Sequence, residues 1–306
     1  MSHKFNHIWK LADGFPAKGI KPNNCKVFGT FVCGGGSAMG YKLAGYDYLG
    51  GVEIDPKVAE IYKENLKPKY LFIDDIRDFN KRDDLPKELY ELDILDGSPP
   101  CSTFSMAGSR EDAWGKSKQF AEGQKHQRLD DLVFVYCDTI KKLMPKVCIL
   151  ENVAGLVSGN GKVYARAIAK RLKEIGYNVQ RFLLNAATMG VPQRRERVFF
   201  VGLRDDFSLP KLILNFKEKP ILFGEIKDEM GRAIVGEESL KTWQHRMPDD
   251  KNFADTNKRY KGRNVGFNQM YAKDDRVLPT LRASSYTFLY SSPKLISRTE
   301  MLKGSS

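Results

Sequence analysis

The chain has 306 residues, a hydrophobic content of 42%, a charged content of 29% and a formal net charge of +12. These are globular values with no run near the ~20 apolar residues of a membrane span, and the N-terminal MSHKFNHIWKLADGF lacks the apolar segment of a secretion signal. Five cysteines without a CxxC pair and four scattered histidines predict a reduced intracellular compartment, no disulfide framework and no metal site, while the positive charge favours a polyanionic partner such as nucleic acid.

In chain order, KVFGTF (26–31) reads as a buried strand. It runs into TFVCGGGSAMGYKLAGY (30–46), a glycine-rich turn opening a helix, where backbone N–H groups can approach a ligand. YLGGVEI (48–54) is the next strand, and Glu53 at its end can accept hydrogen bonds from ribose hydroxyls. DPKVAEIYKENL (55–66) reads as a helix capped by Asp55, with Pro56 at its first position and Val58, Ile61 and Tyr62 inward. The strand YLFI (70–73) is followed by Asp74 and Asp75, which suit either an adenine amino group or a helix N-cap.

LDILD (92–96) ends in GSPPCSTFS, where Pro99 and Pro100 forbid continuation as strand or helix and leave Cys101 on a loop at a strand end. In open α/β sheets that edge binds ligands. By contrast, Cys137 and Cys148 lie in apolar runs and read as core. Residues 105–127 form a long glycine-containing polar stretch, a length that marks a functional or disordered loop. VCIL (147–150) delivers Glu151 and Asn152 at its end, and KVYARAIAKRLKEIG (162–176) is an amphipathic helix with Tyr164, Ile168, Leu172 and Ile175 on one face. VQRFLL (179–184) and RVFFVG (197–202) complete the strands, and period-two alternation puts Gln193, Arg195 and Arg197 on one face. The alternation predicts a doubly wound α/β domain with a mostly parallel sheet. After Leu203 that rhythm is lost, which predicts a smaller, irregular, basic domain over 204–289. Its densest basic run, KRYKGR (258–263), suits a solvated loop as well as a phosphate-contacting patch.

The blocks FVCGGGSAMGYKLAG, VEIDP, DDIRDF, GSPPCSTFS, ENVAGL, GYNVQRFLLNAATMGVPQRRERVFFVG and RVLPTLRAS follow one another in an order that resembles the DNA cytosine-C5 methyltransferase family of bacterial or phage type. The resemblance is close over 27–203 and looser over 276–302. It implies a Rossmann-like methyltransferase fold, with 1–203 as the catalytic domain, 290–306 returning to it and 204–289 as a target-recognition domain. It further implies that S-adenosylmethionine donates a methyl group to C5 of a cytosine flipped out of duplex DNA. Cys101 is then the nucleophile that adds to C6, Glu151 binds the base's N3 and amino group, Arg197 its O2 side, and Arg195 a phosphate or the nucleophile loop. Phe31, Gly35, Gly36, Glu53, Ile54, Asp75, Ile76 and Pro99 would line the cofactor pocket. Ser102, Ser105, Gln193 and Arg263 would meet DNA, and Trp243, His245, Arg246, Arg263 and Asn268 are candidates for base contact. The implied location is the cytoplasm of a bacterial or phage-infected cell, in a restriction–modification pair or alone.

Three departures from the family's pattern stand out. Its aspartate ahead of the first phenylalanine is Gly29, its first glycine is Cys33, and the glutamine after the nucleophile is Ser102. The final KLISRTEMLKGSS resembles only the start of the last block. A missing C-terminal segment or a second chain would complete it, and the chain as written would bind S-adenosylmethionine weakly. Two rivals share these features: a tRNA cytosine-C5 methyltransferase, disfavoured by the lack of a Cys-Phe-Thr signature in the second half, and a catalytically inactive DNA-binding module.

Overall fold

A computed structural model describes residues 10–100, 131–159, 161–208, 210–228, 231–233, 236–281 and 286–303. Two compact units emerge. One holds the described residues up to 184 together with 197–212, and the other holds 185–196 and the described residues from 213 onward.

The first unit runs β1 (Lys26–Thr30), α1 (Gly36–Leu43), β2 (Asp47–Glu53), α2 (Pro56–Leu66), β3 (Tyr70–Ile73), α3 (Ile76–Lys81), β4 (Ile94–Gly97), α4 (Leu132–Leu143), β5 (Val147–Val153), α5 (Gly161–Ile175), β6 (Tyr177–Asn185) and β7 (Glu196–Arg204). The seven strands form one sheet in the order β3-β2-β1-β4-β5-β7-β6. Pairing is parallel from β3 through β5 and antiparallel between β5 and β7. Because the order reverses between β1 and β4, the C-terminal ends of those strands flank the crevice where open α/β sheets take ligands. Phe28 on β1 anchors one face, stacked 5.9 Å from Phe79 and edge-on to Phe72. Side chains of α3, α4 and α5 complete that core, whereas Val27, Tyr48, Tyr62, Leu66 and Ala38 form a second core under α1 and α2. Cys137 and Cys148 are buried, and desolvation pushes both thiols up, Cys137 to about 12.

Local chemistry sets the element ends. The Asp55 carboxylate accepts the N–H groups of Lys57 and Val58 and starts α2, with Pro56 at its first position. The helix buries Ala59, Tyr62 and Leu66, so its inward face follows spacings of three and four. Ile61, expected inside, falls off that stripe and is 53% exposed. Gly176 closes α5 with φ 105°. β7 begins at Glu196, so Gln193 and Arg195 precede the strand and the period-two alternation of Arg197 does not extend to them.

The second unit contains α6 (Phe223–Ile226), β8 (Arg232–Ala233), α7 (Glu237–Gln244), α8 (Phe253–Lys261), β9 (Met270–Ala272), β10 (Thr287–Leu289), β11 (Lys294–Leu295) and α9 (Arg298–Lys303). Its sheet order is β8-β11-β10-β9. The expected boundaries need correction on two counts. Residues 185–196 belong with this unit, and the described residues after 290 stay in it: β11 pairs with β10 and β8, and Ile296 lies in the unit's core. The fully buried Glu300 fixes that end reciprocally, accepting the Ser297 N–H while its own N–H donates to the Ser297 hydroxyl. Among the described residues no helix is long and apolar enough to cross a membrane.

Candidate active site

β1 ends in a sharply wound turn: φ is 57° at Phe31, 48° at Cys33 and 90° at Gly35. A Cβ on Gly35 would sit 2.3 Å from Leu66 Cδ1 and 2.9 Å from Tyr62 Cδ2, so only glycine fits against α2. A Cβ on Gly34 or Gly36 would meet nothing within 4 Å, which leaves open space over the turn. Cys33 takes a left-handed conformation that glycine adopts freely, and Glu53 holds it there. One Glu53 oxygen accepts the Cys33 N–H at 2.8 Å and the other accepts the Asp55 N–H at 3.0 Å. The substitution of cysteine for glycine thus keeps the turn at the cost of local strain.

Gly29 has an equally local explanation. A Cβ there would lie 2.0 Å from the hydroxyl of buried Tyr48, so the phenol fills the space an aspartate would need. Farther along the edge, Ile54 follows β2 and is half-buried, and Ile76 is buried at the start of α3. Asp75 is the N-cap of α3, accepting the Arg77 N–H at 2.8 Å and pairing with the Arg77 guanidinium. Of the two roles its sequence position allowed, the structure displays the cap.

On the other side of the crossing point, Gly97 of β4 pairs with Leu150 of β5. Buried Asn152 donates from Nδ2 to the Pro99 carbonyl at 3.1 Å, tying the Pro99–Pro100 segment to β5. Next to it, Glu151 Oε1 lies 3.0 Å from Arg197 Nε. Both side chains are mostly covered, at 26% and 20% exposure, which keeps the pair from being an ordinary surface bridge. Cross-strand register brings them together, since Val153 pairs with Arg197 and Glu151 with Phe199. Cys101 follows Pro100 directly in sequence and, with Ser102 and Ser105, lies outside the described residues.

In the second unit, Arg195 and Arg263 are exposed. Gln193, expected at DNA, is 4% exposed, and its Oε1 accepts the Leu281 N–H, so its amide holds the unit's own backbone. Trp243 and Arg246 are also committed internally: the guanidinium lies 3.4 Å from the indole ring and donates to the carbonyls of Trp243 and Tyr290, while the indole N–H donates to Leu289. His245 is exposed and stacks on Tyr260 at 3.6 Å, and Asn268 is exposed. In KRYKGR, Arg259 binds Asp250 and Lys261 binds Glu238. Half of that basic run's cations therefore serve the fold.

Sequence reading did not assign the Asn152–Pro99 tie. Asn152 was visible as a strand-end amide, but its partner is a backbone carbonyl 53 residues away, which no local pattern reveals. Asp96 was missed altogether. It lies on β4 opposite Gly29 of β1, and its Oδ2 accepts the Ser37 hydroxyl at 2.5 Å.

Comparison with known proteins agrees with this arrangement. The chain is 34% identical to the type II methyltransferase M.FnuDI of Fusobacterium nucleatum over 71% of its own length and 59% of that protein's. It is 30% identical to M.Bsp6I of a Bacillus strain over 86% of its length and 78% of that protein's. It spans about half the length of several curated relatives it matches. A solved structure of an Escherichia coli prophage protein, described as a DNA modification methyltransferase, superposes with a TM-score of 0.60 at 16% identity, covering 92% of this chain and 88% of that one, which extends the likeness to the fold. The model of the C-5 cytosine-specific DNA methylases matches residues 25–299, and the chain belongs to that family.

Proposed function

We propose that this chain transfers a methyl group from S-adenosylmethionine to C5 of a cytosine flipped out of duplex DNA. The observation that carries the reading is the half-buried Glu151–Arg197 pair beside the Pro99–Pro100 segment that Asn152 holds. An acid and a guanidinium fixed together match the donor and acceptor pattern of a cytosine edge, and the tied segment leads directly into Cys101.

Cytosine C5 is a poor nucleophile, so the chemistry starts at C6. The Cys101 thiolate adds there, a C–S bond forms, and electron density moves to C5. Glu151 hydrogen-bonds N3 and the exocyclic amino group while Arg197 meets the O2 side, which stabilises the charge that develops on the ring. After methylation a solvent base takes the C5 proton, the electron pair of that C–H bond re-forms the C5–C6 double bond, and the C6–S bond breaks to release the thiolate. Arg195 and Arg263 are assigned to phosphates, and Ser102 and Ser105 to DNA beside the nucleophile.

The cofactor side has groups that fit S-adenosylmethionine: open space above Gly34 and Gly36, a strand-end carboxylate at Glu53, and the apolar Phe31, Ile54 and Ile76. When bound, the cofactor supplies an electrophilic methyl group on its sulfonium. Gly35, Asp75 and Pro99 shape the walls around it, and Glu53 retains lone pairs for ribose hydroxyls. The second unit is assigned to target recognition.

The test is covalent trapping on duplex DNA carrying 5-fluorocytosine, with Cys101→Ser as control. A cofactor-dependent adduct that the control lacks is expected, and no adduct with the unaltered chain refutes the reading. Labelled methyl transfer to duplex DNA and to tRNA separates the DNA enzyme from its tRNA counterpart. Glu151→Gln should lower turnover by about 100-fold or more, the scale of one lost charge-stabilising contact, while DNA binding stays within twofold. Unchanged turnover would remove Glu151 from its role.

A further inference from the structure

Asp96 is an acid at the ligand-binding edge of the sheet that has no salt-bridge partner among the described residues. It lies on β4 in register with Gly29 of β1, at the point where the strand order reverses. Its described surroundings are the Ser37 hydroxyl and Tyr41 from α1, Tyr48 from β2, Tyr62 from α2, Tyr136 from α4 and Glu151 from β5. Carboxylates this enclosed are ordinarily paired with a cation. A carboxylate held at this edge by one hydroxyl, with part of its side chain still open, suits a cationic ligand.

Gly29 and Tyr48 show why the acid sits on β4. The family pattern has an aspartate at position 29, but here the Tyr48 hydroxyl fills that space. The acid on this face of the sheet is carried by the neighbouring strand, where residue 96 is the partner of residue 29. Parallel partners project to the same side, so the Asp96 carboxylate is on the side of the Tyr48 hydroxyl, feels the phenols of Tyr48 and Tyr41 electrostatically, and bonds to the first turn of α1.

We infer that Asp96 binds the cationic α-ammonium at the amino-acid end of S-adenosylmethionine, an assignment that rests on the cofactor reading above. Burial, opposed by the Ser37 bond and reinforced by Glu151, pushes the Asp96 carboxyl up to about 6. A bound cation relieves that penalty. The tyrosines around it stay neutral in this range, since burial raises each of them.

The experiment is calorimetric titration of the unaltered chain and Asp96→Asn with three ligands: S-adenosylmethionine, S-adenosylhomocysteine and 5′-methylthioadenosine. The first two carry the α-ammonium and the third lacks the amino-acid end. Asp96→Asn should weaken the first two by about tenfold each, the order expected of one lost charge-assisted hydrogen bond, and leave the third within twofold. The unaltered chain should lose affinity for S-adenosylmethionine from pH 8 to pH 5.5 more steeply than the variant, the comparison cancelling any contribution from Glu151. Equal loss for all three ligands would mean a distorted turn and would overturn the assignment, as would no loss at all. Selective loss for S-adenosylmethionine would place the charge at the sulfonium and overturn it too. Failure of the unaltered chain to bind any of the three removes the proposed function as well, whereas normal binding without a selective loss in the variant removes only Asp96.

Discussion

Asp96 and Glu53 are both acids at strand ends, yet their hydrogen-bond partners differ. Glu53 has two backbone N–H groups donating to its carboxylate, whereas Asp96 has one hydroxyl donor and a largely desolvated setting. Ionising Asp96 therefore costs the free fold stability, and the sign of the effect follows from linkage. Its folded value, about 6, stands above the ordinary aspartate value of 3.8. The unfolded chain releases this proton first, so the fold is unpenalised below pH 3.8 and loses stability as pH rises through 6. Asp96→Asn should then stabilise the ligand-free chain by about 2 kcal/mol at pH 8, somewhat less than the full shift converts to because the side chain is partly exposed. The gain should vanish near pH 4. Urea unfolding followed by far-ultraviolet circular dichroism at the two pH values measures it, and a variant that is less stable at pH 8 contradicts the electrostatic account. A group that destabilises the free protein while facing the ligand edge has the balance expected of a binding residue.

At the level of elements, α8 shows why the basic run 258–263 misleads. The helix starts at Phe253 with Asn252 accepting the Asp255 N–H, and it ends at Gly262 in a left-handed cap. One turn before that cap, Arg259 forks onto buried Asp250, which also accepts the Thr256 hydroxyl and the Met247 N–H. Chiefly because of Arg259, the Asp250 carboxyl is held down at about 2. This folded value lies below the ordinary one, so the latch contributes fully above pH 4 and is lost as pH falls through 2. Asp250→Asn should destabilise the second unit by about 2 kcal/mol at pH 7, with a difference that shrinks in acid. Trp243 fluorescence during urea unfolding reports that unit, and an unchanged midpoint would deny the latch its role. Apolar periodicity made the strands and helices of the first unit legible, and the order of the blocks made Glu151 and Arg197 legible as a pair of roles. The second unit stayed opaque because its strands are two or three residues long, too short to show a period. Gln193, Trp243 and Arg246 looked like ligand contacts for a related reason: a polar side chain that satisfies a remote backbone N–H or carbonyl has no local signature.

For the whole molecule, the +12 charge is the only sequence feature that bears on DNA affinity without reference to a particular contact. Its distribution decides what it can do. Arg259 and Lys261 are matched by Asp250 and Glu238, and Arg197 is matched by Glu151, so none of these adds a free positive charge at the surface. Lys258 and Arg263 flank the same helix end and are exposed without a salt bridge among the described residues. Each cation that neutralises a phosphate releases about one counterion, which makes duplex affinity fall with salt by about 0.9 per contact on a double-logarithmic plot. Lys258→Ala and Arg263→Ala should each flatten that slope by about one, and the double variant by about two, with unfolding midpoints unchanged. Arg259→Ala should do the reverse, lowering the unfolding midpoint while the slope of the folded fraction stays the same. Fluorescence anisotropy of a labelled duplex across a salt series separates the two outcomes. A flattened slope with Arg259→Ala, or none with Arg263→Ala, would move the DNA-facing charge away from this end of α8.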